Sequence, residues 1–115
     1  MKPFIKNIQD IQIEWAHDGS GSRQVLLNHE DSISSQLEAV TKWFLSPGFE
    51  FDWHKHAGVD EFWIVIQWSW VVEYKDGTKF EYKKDDIIYN PSDLGHRIIA
   101  QWKEESVYYF CRLNK

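Results

Sequence analysis

Two histidines stand one residue apart in the stretch "WHKHAGVDE" (residues 53–61), and a carboxylate, Glu61, follows five residues past the second. Imidazole and carboxylate side chains ligate transition metals and move protons near neutral pH. Whether His54 and His56 act together depends on the local backbone. On a helix, positions i and i+2 diverge. On a strand they share one face, with backbones roughly 6–7 Å apart from the strand rise. "FEFDWHKH" (49–56) alternates apolar and polar residues, which predicts a strand with Phe49, Phe51 and Trp53 on one side and Glu50, Asp52, His54 and His56 on the other. That spacing lets two imidazoles on one strand face converge on a single ion. After the connection "AGVD", Glu61 opens the next strand, so a tight return brings it beside the pair. His96 begins a later strand, after "NPSDLG". Asp60 is a rival carboxylate. Alternation favours Glu61, since Phe62 then faces the opposite way and Trp63 inward again.

The elements that must position these groups read mostly as strands. "QIEW" (12–15) and "RQVLLN" (23–28) flank the loop "HDGSGS" (17–22). "DSISSQLE" (31–38) is the only stretch with a possible helical turn. "AVTKWFL" (39–45) ends at the turn Ser46-Pro47-Gly48. "EFWIVIQWSWVVEY" (61–74) is apolar for too long to be one strand with a wet face. Asp76-Gly77 marks a hairpin before "KFEYK" (79–83). "DIIYN" (86–90), "HRIIAQW" (96–102) and "SVYYFCRL" (106–113) complete the series. Many short strands separated by Gly, Pro, Asp and Asn predict an all-β sandwich or barrel.

The chain of 115 residues fits one domain, and its 43% hydrophobic and 27% charged residues are a globular balance. Seven Trp, seven Phe and five Tyr supply large side chains for a core or for pocket walls. The formal charge is −5, with acids and bases interspersed. No basic stripe appears, so a nucleic-acid partner is not expected. Lys83-Lys84, followed by Asp85-Asp86, reads as a solvated turn. One cysteine, Cys111, excludes an internal disulfide and a cysteine-rich zinc site, and its strand setting reads as a structural thiol. The N-terminus lacks the apolar core of a signal peptide and no apolar run approaches membrane-spanning length. A cytoplasmic protein that makes no membrane contact is the expectation.

The segment from Gly48 through "FEFDW", His54-Lys55-His56 and "AGVD" to Glu61 resembles the first motif of the cupin superfamily: Gly, five residues, His-x-His, three or four residues, Glu. "DIIYNPSDLGHRIIA" is similar to the second, with Pro91 and, five residues on, His96. The likeness runs over about residues 36 to 113. This chain departs from the pattern at Asp85 and Asp93, which stand at two glycine positions, and at Ala100, which stands at an asparagine. Trp68 stands where the first motif ends in glycine. A glycine at such a junction serves positive φ, so a tryptophan there costs backbone strain unless the turn has another geometry; either the turn is natural and rearranged or Trp68 is an introduced substitution.

What the resemblance implies is a double-stranded β-helix, or jelly-roll barrel. Residues 1–115 form a single cupin domain, with 1–35 as N-terminal strands and loop acting as a dimer arm and 36–113 as the barrel. By residue match, His54, His56, Glu61 and His96 bind a divalent transition metal inside the barrel mouth. The donor set suits Fe, Mn, Zn, Ni or Cu and does not suit calcium. Four ligands leave up to two open positions on a six-coordinate ion for substrate or O₂. Small single-domain cupins often carry a "G-S-G-x-R" segment like the one ending at Arg23, which gives Arg23 either a substrate anion or a plain surface position. His17 and His29 read as loop residues. If Glu61 faces inward, so do Trp63, Val65 and Gln67; if His96 does, so do Ile98, Ala100 and Trp102. On the last strand either Val107/Tyr109/Cys111 or Tyr108/Phe110/Arg112 is inward. Trp63, Gln67, Arg23 and Ile98 are thus the substrate-binding candidates, in an aromatic pocket with few charges.

The favoured reading is a metal-dependent enzyme on a small aromatic or carbonyl substrate, with dioxygenase (oxidoreductase) chemistry and Glu61 as ligand or weak base. A non-redox lyase, cyclase or isomerase uses the same ligands. A small-ligand binding or sensing module without turnover, and a metal-free scaffold, are the alternatives. A homodimer is expected, because isolated β-domains hide sheet edges against a second copy.

Overall fold

A computed structural model of the chain describes residues 3–16, 21–31, 33–47, 52–68, 70–99 and 104–114. Nine strands are assigned among them: β1 (Glu14–Ala16), β2 (Gly21–Asn28), β3 (Leu37–Leu45), β4 (Val59–Gln67), β5 (Trp70–Tyr74), β6 (Lys79–Tyr82), β7 (Ile87–Asn90), β8 (His96–Ile99) and β9 (Ser106–Asn114). They form two antiparallel sheets. One runs β1-β2-β3-β9-β4-β7 and the other β6-β5-β8. This is the double-stranded β-helix that the sequence implies. The expected helical turn at 31–38 is replaced by a short 3-10 turn at His29–Asp31, with β3 starting at Leu37.

Strand period explains which residues fill the space between the sheets. On β4, Glu61, Trp63 and Val65 are buried while Ile64 is exposed. On β9, Tyr108 and Phe110 are buried and join Trp43 and Leu45 of β3, Ile88 of β7 and Ile98 of β8. Trp70, Val72, Tyr74 and Tyr82 close the core from the smaller sheet. Aromatic side chains bury large areas each, so a few inward rows give this short chain a cohesive interior.

The apolar run 61–74 is split at Trp68, where the chain leaves one sheet for the other. Trp68 has φ 63°, Asp85 φ 73° and Asp93 φ 67°, the non-glycine residues with positive φ among those described. All three stand where the cupin motifs carry glycine. The backbone at Trp68 therefore keeps the left-handed turn and does not rearrange. Aspartate tolerates that region through local hydrogen bonding, whereas tryptophan is a genuine outlier there. Trp68 itself is half exposed.

The N-terminal segment packs against its own chain. Gln24 on β2 is buried and donates Nε2 hydrogen bonds to the carbonyls of Ile8 and Ile11, both at 2.9 Å. Lys6 pairs with Asp31 at 2.9 Å. Ile5, Ile13 and Trp15 remain exposed beside β1, an edge strand. No helix among the described residues is long and apolar enough to cross a membrane.

Candidate metal centre

The expected strand over 49–56 is not a ladder strand in its described part. Residues 49–51 lie outside the described residues, and within 52–56 only His54 pairs, through an isolated antiparallel bridge to His96. His54 N–H donates to the His96 carbonyl at 2.7 Å and His96 N–H to the His54 carbonyl at 2.8 Å. Residues that exchange both main-chain bonds in this way carry their side chains on the same face. Two segments over forty residues apart thus present imidazoles to one space. Trp53 anchors the far side of the segment: Lys75 Nζ lies 4.1 Å and the Arg97 guanidinium 4.7 Å from its ring centroid.

Ligand-type atoms of His56, Glu61 and His96 all lie within 4.8 Å of one another. His56 Nε2 is 3.5 Å from Glu61 Oε2, and His96 Nε2 is 3.8 Å from Glu61 Oε1. His54 stands beside this triad and lines the same cavity, its ring centroid 6.3 Å from that of His96. Burial lowers the proton affinity of His56 and His96, against the pull of Glu61, and so favours the neutral imidazole that binds metal.

Glu61 is buried to 4% exposure and held from three directions. Trp63 Nε1 donates to Oε1 at 2.6 Å and Asn90 Nδ2 to the same oxygen at 3.2 Å. Arg112 Nε donates to Oε2 at 3.2 Å. Asn90 is itself oriented by the Tyr74 hydroxyl, which donates to Oδ1. Register brings these groups together, since Glu61 pairs with Asn90 on one side and Arg112 on the other. Asp60 faces away, accepting from Ser92 N–H at 2.9 Å and from the Tyr89 hydroxyl at 3.2 Å.

The donor set fits a divalent transition metal. Two imidazoles and a carboxylate, clustered and mostly buried, are ligands for such ions, and partners that orient the carboxylate are the usual support around a metal.

The cavity above the triad has a volume of about 250 Å³. Trp63, Ile98 and Arg23, all named from the sequence, line it. Gln67 does not. A bulge between Val65 and Gln67 breaks the alternation, leaving Gln67 exposed and donating to the Glu105 carbonyl at 3.2 Å. Ala100, Trp102 and His17 lie outside the described residues. His29 is exposed in its 3-10 turn. On β9 the inward set is Tyr108, Phe110 and Arg112. Cys111 falls on the other face, half-buried, its thiol pushed up by burial as for a structural cysteine. Two arginines at the wall correct the expectation of a pocket with few charges. Asn90, Tyr74 and Trp43 were missed. Asn90 was open to discovery, because inward Ile88 on the same strand fixes its direction.

Comparison with known proteins agrees with this architecture. A family model described as a cupin domain matches residues 42–111. A predicted oxalate decarboxylase from Thermotoga maritima has a similar crystal structure, with TM-score 0.86 and 18% identity over 97% of this chain and 100% of that one. A sugar phosphate isomerase from Silicibacter pomeroyi follows at TM-score 0.75 and 16% identity, covering 95% and 72%. A DMSP lyase structure matches at TM-score 0.75 and 12% identity, covering 90% and 57%. Comparison with curated protein sequences gave no match. The dioxygenase and oxidoreductase expectation is overturned here. The activities named among these relatives are a decarboxylase, an isomerase and a lyase, which break or move bonds without inserting oxygen. The same ligands serve both chemistries, so the residues alone could not separate them. A family model spanning more than half of the sequence, on a jelly-roll with His56, Glu61 and His96 gathered on one cavity, makes this chain a member of the cupin superfamily.

Proposed function

We propose that this chain is a metal-dependent, non-redox enzyme of the lyase, cyclase or isomerase type, acting on a small organic molecule. The observation that carries the reading is the buried His56/Glu61/His96 cluster at the base of a cavity of about 250 Å³. His56, Glu61 and His96 would hold the ion, with His54 as a further ligand from the bridged segment. A bound divalent metal supplies a Lewis acid that polarises a carbonyl or carboxylate oxygen.

The chain's own residues do the rest. Trp63, Asn90 and Arg112 hold Glu61 in one orientation, so the carboxylate does not have to be ordered during reaction. Trp63 and Tyr108 stack with centroids 4.8 Å apart and, with Ile98, form a wall that excludes water and seats an apolar substrate body. Arg23 supplies charge at the same cavity. Glu61, firmly hydrogen-bonded, serves as a ligand and a positioning charge in this reading.

The test is elemental analysis of protein purified without a metal-affinity tag, beside His96→Ala. Stoichiometric transition metal in the parent and its loss in the variant are expected, the loss exceeding the roughly 100-fold effect of removing an outer partner. Metal-loaded protein should then convert its substrate equally under argon and air. A metal-free parent, or turnover that requires O₂, refutes the reading.

A further inference from the structure

We propose that the cavity takes a small molecule bearing a carboxylate, gripped by the amino edges of Arg112 and Arg23. The inference rests on the reading that the metal cavity is the substrate site, and it names the substrate class.

Both arginines line the cavity. Each is tied back through Nε alone. Arg112 Nε meets Glu61 Oε2 at 3.2 Å, and Arg23 Nε meets Glu14 Oε2 at 3.1 Å. Among the described residues neither arginine makes a hydrogen bond through its Nη atoms. The nearest approach is Arg112 Nη1 to Glu38 Oε1, at 3.8 Å, which is beyond hydrogen-bond range. Each guanidinium is also backed by a ring, Arg112 by Phe110 at 4.8 Å and Arg23 by Trp43 at 5.5 Å. The planes are therefore braced while the paired Nη donors stay unspent. That pair of N–H groups has the spacing of a carboxylate's two oxygens, and such a contact is both directional and strong.

Charge points the same way. Among the described residues that line the cavity Glu61 is the one acid, against two arginines, while Glu14 and Glu38 pair with those arginines from outside the lining. A bound divalent ion widens the positive excess. A positive excess at a cavity wall attracts a ligand of the opposite sign. The aromatic walls and small volume suit a compact organic acid. No lysine lines the cavity among the described residues, and its small volume favours a compact acid over a bulkier phosphate ester.

The experiment is calorimetric titration of metal-loaded protein with succinate and benzoate, with succinamide and benzamide as uncharged matches, and with inorganic phosphate. Arg112→Gln, Arg23→Gln and the double variant are titrated in parallel, and metal content is measured for each. At least one acid should bind about tenfold or more tightly than its amide, from the charged bidentate contact. Arg23→Gln, which does not touch Glu61, should weaken that binding about tenfold with metal content intact. The double variant should lose it. Equal affinity for acid and amide, tighter binding of phosphate, or undiminished binding by the double variant overturns the proposal. The last outcome would mean that the ion alone captures the acid. A chain that holds no metal yet keeps the acid preference refutes the metal reading and leaves this inference standing.

Discussion

The two sides of the metal site are built differently. Glu61 sits in the middle of β4, laddered to β7 and β9, and its carboxylate accepts three side-chain hydrogen bonds. His54 and His56 sit on a segment with one bridge to β8 and a tryptophan clamped between two cations. One side is fixed by many cooperative main-chain bonds and the other by a few contacts. The lesson is that the carboxylate is preorganised, whereas the histidine arm has a lower cost of opening, and a bound ion would do more to order it.

Breaking the rigid side should cost most. Asn90→Ala removes a donor from Glu61 and leaves the buried Tyr74 hydroxyl without its acceptor. Stability should fall by about 1–3 kcal/mol in urea unfolding, from the unsatisfied groups. Metal affinity should fall roughly 10–100-fold in chelator competition, as for other residues that orient a ligand. Unchanged values for both would show that Glu61 needs no such support.

Loosening the weaker side comes next. Trp53→Ala deletes both cation–ring contacts and should cost about 1–2 kcal/mol in metal-free protein. Saturating zinc should shrink that difference, because the ion ties His56 to Glu61. An equal loss with and without zinc would contradict the contrast between the two sides.

Much of the fold and of the ligand cluster is legible in the sequence, and particular residues show where legibility ends. Motif spacing points to His56, Glu61 and His96, which cluster, and to His54, which lines the same cavity beside them. Parity alone ranks Asp60 behind Glu61 as a rival carboxylate, and Asp60 is instead engaged with Ser92 and Tyr89. Arg112 was left in one of two sets because β9 carries bulky apolar residues on both faces, so nothing marks its inner side. Gln67 was misassigned because a bulge leaves no trace in an alternating string. The bridged character of 52–56 was also hidden, since an alternating stretch reads alike whether it pairs along its length or at one point.

A smaller effect tests the turn beyond β4. Trp68→Gly removes a left-handed tryptophan and should stabilise the fold by about 1 kcal/mol, the relief being partly offset by glycine's unfolded-state entropy. The melting temperature should rise by about 4 °C. No rise would place the strain elsewhere.

The smallest expected effect is with pH. Burial lowers the proton affinity of His56 and His96 in the fold below the ordinary value of 6.5. The unfolded chain therefore takes up protons first as pH falls below 6.5, so these groups contribute stability above that pH that is lost as acid is added. Metal-stripped protein should melt at a lower temperature at pH 5.5 than at pH 7.5. A flat profile would mean that both imidazoles are solvated as in the unfolded chain.

The reciprocal main-chain bonds between His54 and His96 have a consequence for how such a mouth diversifies. They are made by peptide groups and not by rings, so the frame joining the two segments is indifferent to what hangs from it. Exchanging either imidazole for another donor would alter the preferred ion while the mount stays in place, and the same chassis becomes a socket for different chemistries.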